Sequence, residues 1–201
     1  DAGVRTRALI TAMDVPLGLA VGNAIEVTES LEVLAGGGPS DLIELVIALA
    51  NEMLDIAGID ADPREAITSG RAMDHWRRMV SAQGGDPDAP LPVARHQHVI
   101  TAPVAGPLST LEAYGVGVAA WRLGAGRAHK EDEIVHGAGV QLHAKPGDML
   151  SEGQPIMTLL ADDEARLPAA IAELEGSWEI GGEPMDRHPL VITRFDENTR
   201  G

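Results

Sequence analysis

Arg7-Ala8-Leu9-Ile10-Thr11-Ala12-Met13-Asp14-Val15-Pro16-Leu17-Gly18-Leu19-Ala20-Val21-Gly22-Asn23-Ala24-Ile25-Glu26-Val27 reads as a strand, a Pro/Gly-rich turn and a helix start in quick succession. Residues 4–11 are apolar or small apart from two arginines, and Asp14 and Pro16 close the run, which predicts a buried strand. Gly18 and Gly22 allow a tight turn where a Cβ would clash. Asn23 occupies the place of a helix N-cap. Ala24, Val27, Leu31 and Leu34 then recur at helical spacing, so a helix over 24–34 follows. Strand, turn and helix in this order are the opening of an α/β unit.

The next segments extend that unit with helices. Gly36-Gly37-Gly38-Pro39 ends the first one, and Asp41 with Glu44 has the spacing of a capping box. Leu42, Leu45, Val46, Leu49, Met53 and Leu54 form an apolar stripe through a helix reaching about Ile56, with Gly58 as its stop. Short helices over 63–69 and 72–83 follow, and 86–92 is rich in proline and aspartate, the composition of a linker. Beyond it the pattern changes. Residues 98–102, 107–111, 139–144 and 155–160 read as strands, 114–123 and 161–175 as helices, and 190–193 as a last strand. The expected organisation is therefore an α/β domain at 1–85 with helices on a strand, a linker at 86–94, an α+β domain at 95–175 and a tail at 176–201.

Bulk composition excludes several functions. A chain of 201 residues buries roughly 70% of its unfolded surface. The absence of cysteine removes disulfides, thiolate metal sites and thiol nucleophiles, and suits a reducing cytoplasm. A net charge of −16 with only five aromatic residues argues against nucleic acid as a partner. No apolar run approaches the ~20 residues of a membrane span.

Four segments carry a family resemblance. Besides 7–27, they are Gly38-Pro39-Ser40-Asp41-Leu42, Leu123-Gly124-Ala125-Gly126-Arg127-Ala128-His129-Lys130-Glu131-Asp132, and Gly147-Asp148-Met149-Leu150-Ser151-Glu152-Gly153-Gln154-Pro155. Taken in order, these resemble elements of the pyrimidine nucleoside phosphorylases, and the match runs from about residue 2 to 172. The resemblance implies a C-terminal half of such an enzyme, because the 7–27 segment lies mid-chain in the family. It implies phosphorolysis of a pyrimidine nucleoside such as thymidine, with phosphate as co-substrate and a cytoplasmic homodimer as the working form. The family's Lys-His-Ser-x-Gly-Gly phosphate loop is absent, and the only lysines are Lys130 and Lys145. No catalytic residue is therefore expected in this chain, and the substrate-binding residues would precede Asp1. A K⁺ or Ca²⁺ ion is implied on the carbonyls of Leu17 and Ala20 and the carboxylate of Glu29, an all-oxygen set suited to a hard cation. The alternative for Glu29 is a solvated helix residue beside Glu26 and Glu32.

Other candidates stand beside these. Arg127 and Lys130 after Gly124 and Gly126 could bind an anion, but glycines that follow a helix serve as its C-cap, and Arg127 could instead pair with Asp132 or Glu133. His96, His98, His129, His136 and His143 lack the tight convergence that zinc needs. The strand pairs around 99–111 and 140–160 resemble the half-barrel of lipoyl and biotinyl carriers, which would make the chain a carrier module. Lys130 and Lys145 lack the carrier context, so shared architecture is the preferred reading. The remaining possibility is an assembly module, since 1–84 should expose apolar surface that recruits a partner or a second copy.

Overall fold

The computed structural model describes residues 4–127, 129–183, 185 and 188–196. The chain divides into two compact units. The first is built from 1–12, 31–89 and 187–201, and the second from 13–30 and 90–186. Both are discontinuous, unlike the consecutive pieces the sequence suggested. The turn after the first strand and most of the first helix join the second unit, and the C-terminal strand joins the first. Residues 197–201 of the expected tail lie outside the described residues.

In the first unit β1 (Ala8–Thr11) pairs antiparallel with β9 (Val191–Phe195), Ala8 facing Phe195 and Ile10 facing Thr193. The strand expected to be buried is not: Ile10 is 48% exposed, because a two-stranded ribbon has no second layer over its outer face. Helices α2 (Ser40–Ala57), α3 (Pro63–Thr68) and α4 (Arg71–Ala82) complete the unit. Gly58 terminates α2 in the left-handed conformation at φ 68°, as anticipated. The capping box does not form. Pro39 is the N-cap, and Asp41 lies inside the first turn, where its Oδ1 accepts the Leu42 N–H at 2.9 Å. Asp62 does cap α3, accepting from Arg64 N. Arg7 reaches Glu52 at 3.1 Å and Asp55 at 2.8 Å, and Arg194 reaches Glu52 at 2.9 Å, so the two strands are tied to α2 by one charge cluster. The hydrogen bond to Asp55, opposed by partial burial and reinforced by Glu52, holds the Arg7 guanidinium protonated beyond its ordinary range.

The second unit holds the continuous core. Its four-stranded antiparallel sheet runs β2 (Ala20–Gly22), β5 (Gly139–Leu142), β7 (Pro155–Ala161), β3 (His96–Thr101). A three-stranded sheet runs β6 (Met149–Leu150), β4 (Gly106–Leu111), β8 (Trp178–Ile180). Leu108 and Leu111 of β4, Leu150 of β6, and Val140, Leu142, Ile156, Met157 and Leu159 of the larger sheet share one buried cluster. Helices α5 (Ala113–Ala120) and α6 (Leu167–Glu173) add Val116, Ala119, Leu167 and Ala170. The small residues of α5 permit close approach: a Cβ on Gly115 would lie 1.9 Å from Ser177 Oγ. The helix expected over 161–175 is shorter. The apolar run of β7 continues to Ala161, Asp163 caps a tight turn by accepting from Ala165 N at 3.0 Å, and α6 begins only at Leu167 with Pro168 in its first turn. Strands β2, β6 and β8, each of two or three residues, lie in stretches that sequence reading left as turn or irregular chain.

Candidate functional site

In the second unit the loop 13–22 leads into α1 (Ala24–Leu34), and both are held by polar contacts. Its carbonyls are claimed in turn by the surrounding elements. Ala113 N donates to Asp14 O at 2.9 Å, Lys145 Nζ donates to Pro16 O, and Leu142 N and Gln141 Nε2 donate to Leu19 O at 2.7 and 3.0 Å. Lys145 is itself held by the turn it opens, its N–H donating to Asp148 Oδ2 at 2.8 Å. Glu29, on the second turn of α1, is only 8% exposed. Its Oε1 accepts the Leu19 N–H at 2.7 Å, and its carboxylate lies so close over Gly18 that a Cβ there would come within 2.2 Å of Oε2. Gly18 has φ 65°, so both space and backbone conformation demand glycine.

The structure brings Glu29 against Gly18 and Leu19 of the loop that also carries Leu17 and Ala20. The Glu29 carboxylate and the two carbonyls offer at most four oxygens, against the six to eight that Ca²⁺ takes. These residues alone do not complete a cation shell. Among the described residues no three His, Asp or Glu side chains converge to hold a metal. Glu29→Ala removes the acceptor of a part-buried N–H, and an unfolding free energy lower by about 1–3 kcal/mol is expected. Hydrogen exchange should show faster opening at the Leu19 amide, and an unchanged rate there would refute the clamp.

The N-terminus of α1 is occupied by its own chain. The Asn23 side chain, expected to cap it, instead donates from Nδ2 to Ala125 O at 2.6 Å. Glu26 Oε1 accepts the Gly22 N–H at 2.7 Å, and Ala24 N donates to His136 O at 3.0 Å. A groove of about 550 Å³ opens beside it, walled by Asn23, Glu26, Val27, Leu91, Pro92 and His136. Its walls carry no convergent set of cations.

Arg127 and Lys130 sit in a loop that folds on itself. Arg127 donates to Lys130 O at 3.3 Å, and His129 N donates to Asp132 Oδ2 at 2.9 Å. Gly124, at φ 110°, ends the widened helical turn Trp121–Ala125, so the glycines terminate a helix and do not open one. Arg122 stacks on Trp121 at 4.7 Å and pairs with Glu173 at 2.9 Å. Lys145, the carrier candidate, is tied to Pro16 O and is not presented at a free tip. Lys145 and Gln141 as loop clamps were missed from sequence, since nothing local signals a contact about 125 residues away.

Comparison with known proteins places this framework. Residues 108–181, which contain most of the buried core, match the pyrimidine nucleoside phosphorylase C-terminal domain. The chain carries this domain and resembles the C-terminal part of the pyrimidine nucleoside phosphorylases. It is 50% identical over 194 residues to thymidine phosphorylase of Mycobacterium tuberculosis, covering 96% of this chain and 45% of that protein. It is 40% identical to the pyrimidine-nucleoside phosphorylase of Bacillus subtilis, over 95% of this chain and 47% of that one. The Staphylococcus haemolyticus pyrimidine-nucleoside phosphorylase is 38% identical over 90% of this chain and 44% of its own length. The chain spans about half the length of these relatives and matches their C-terminal part. No helix among the described residues is long and apolar enough to cross a membrane.

Proposed function

We propose that this chain is the C-terminal scaffold of a cytoplasmic, dimeric thymidine phosphorylase. In the reaction, a phosphate oxygen attacks the anomeric carbon of the nucleoside, the C–N bond breaks with its electron pair going to the pyrimidine, and base and pentose 1-phosphate result. The observation that carries the reading is identity of 50% to a thymidine phosphorylase along 96% of the chain. Such chemistry calls for cations and N–H donors preorganised around phosphate and leaving base. None of the sites among the described residues supplies them: the Arg127 loop binds its own carbonyl, and Lys145 holds Pro16. We assign reacting groups to the part of the relatives that this chain does not span. Leu17, Ala20 and Glu29 would contribute a partial shell for K⁺ or Ca²⁺, completed by that same part. The two sheets around one core support the lipoyl-like half-barrel as architecture. The tethered Lys145 speaks against a carrier role.

The test is phosphate-dependent release of thymine from thymidine. This chain alone should stay at background. A chimera joining the N-terminal 55% of the Mycobacterium tuberculosis enzyme to this chain should turn over. Turnover by the chain alone would refute the scaffold role, and a folded but inactive chimera would refute the assignment of the reaction.

A further inference from the structure

Among the described residues, β2, β3, β6 and β8 edge the two sheets of the second unit. β2, β6 and β8 are two or three residues long, too short to template a further strand. β3 is different. It runs for six residues, His96-Gln97-His98-Val99-Ile100-Thr101, and among the described residues its backbone pairs only with β7. Edge strands in native proteins are guarded by Lys, Pro, inward-pointing charges or bulges. β3 holds no Pro, Lys, Arg, Asp or Glu, and its register shifts only at its last residue. Its outer row of N–H and C=O groups is therefore open for pairing. Val99 stands at mid-strand and is 47% exposed. It lies in line with Thr158 and Gln141, on the sheet face opposite Val140 and Leu159 of the core.

We propose that β3 is a docking edge for a second copy of this chain, the two β3 strands lying antiparallel about a twofold axis at Val99. Three observations select that occupant. An open edge is completed by backbone, and an identical strand run antiparallel offers the complementary row of donors and acceptors. Pairing at Val99 sets this half-exposed valine against its own counterpart as a β-branched cross-strand pair, with His98 opposite Ile100 on either side. The strand carries no carboxylate in a chain of net charge −16, so two copies meet where their acids are absent. Charges more than about 8 Å apart are largely screened at physiological salt. The inference rests on strand order, exposure and charge, and it stands apart from the proposed reaction.

The test uses the full chain at about 0.15 M salt. Light scattering over a concentration series should show a monomer–dimer equilibrium, and hydrogen exchange in 96–101 should slow as concentration rises. Val99→Lys puts like charges directly opposite each other at the axis and should weaken association at least about tenfold. Val99→Glu should do the same. An equimolar mixture of the two variants should pair again, because Lys faces Glu only where residue 99 meets its counterpart. Position 99 lies away from the core, so both variants should keep exchange protection at Val140, Leu142 and Leu159, which separates lost docking from lost folding. A chain that stays monomeric up to about 1 mM would overturn the proposal. So would a dimer that Val99→Lys leaves intact, a dimer protected only outside 96–101, or a mixture of variants that fails to pair.

Discussion

Leu108→Ala is expected to lower the unfolding free energy of the second unit by about 4 kcal/mol. Leu108 has no solvent exposure and stands on the middle strand of the smaller sheet, in the cluster shared with β5, β7 and α5. Truncation removes its transfer free energy and leaves a cavity that neighbours on several elements cannot jointly refill, which places the cost within the usual 2–5 kcal/mol range. Val46→Ala is the matched control. Val46 is 40% exposed on the ridge of α2, and its truncation should fall within about 0.5 kcal/mol of the parent. Denaturant unfolding followed through Trp121 and Trp178, both in the second unit, reads the first effect. Equal costs for the two substitutions would mean that stability is spread evenly, and the contrast between the units would fail.

That contrast was only half legible in the sequence. Local signals served well where they were local: Ala24 to Leu34 shows helical spacing and forms that helix, and Gly58 ends α2. The apolar run at 155–160 marked β7 to within a residue. What failed was whatever a distant partner decides. The stripe of α2 is amphipathic on any wheel, but amphipathicity says only that a face prefers cover, not that cover is present. Val46 and Met53 belong to that stripe and stand in the open, whereas Leu42, Leu45 and Leu54 of the same stripe are half-buried. Ala20–Gly22 read as part of a turn because three residues carry no periodicity, and it becomes a strand only through its pairing with Gln141, Val140 and Gly139. Lys145 drew attention as a lone lysine near a glycine turn, yet its partner, the Pro16 carbonyl, lies at the other end of the chain. For the site, the sequence pointed to Glu29 and the loop it clamps through family likeness, while Gln141, which holds the same loop from the opposite side, left no trace in any motif.

The pairing of β2 with β5 is also where a single methyl group should do most damage to that loop. Gly139→Ala would place a Cβ 2.5 Å from Val21 O, 2.8 Å from Ile25 Cδ1 and 3.2 Å from Gly22 Cα. Ile25 can rotate away. The other two atoms are backbone of the partner strand, and Gly22 is the residue directly opposite Gly139 in the ladder. Relief requires β2 to lift from β5, and with it go the donors of Leu142 N and Gln141 Nε2 to Leu19 O, whose neighbouring N–H is held by Glu29. Overpacking of this kind costs about 1–3 kcal/mol, and immovable backbone on the contacted side puts this case at the upper end. Amide exchange across 19–22 should accelerate while β7, in the interior of the same sheet, keeps its protection. Gly117→Ala is the counter-case. It lies within α5 with nothing within 4 Å of the added methyl, so it should leave those amides unchanged and stabilise the helix by about 0.5–1 kcal/mol. If Gly139→Ala proved as harmless as Gly117→Ala, the ladder between β2 and β5 would not be what fixes the loop. Lys145 and Glu29 would then have to hold it unaided.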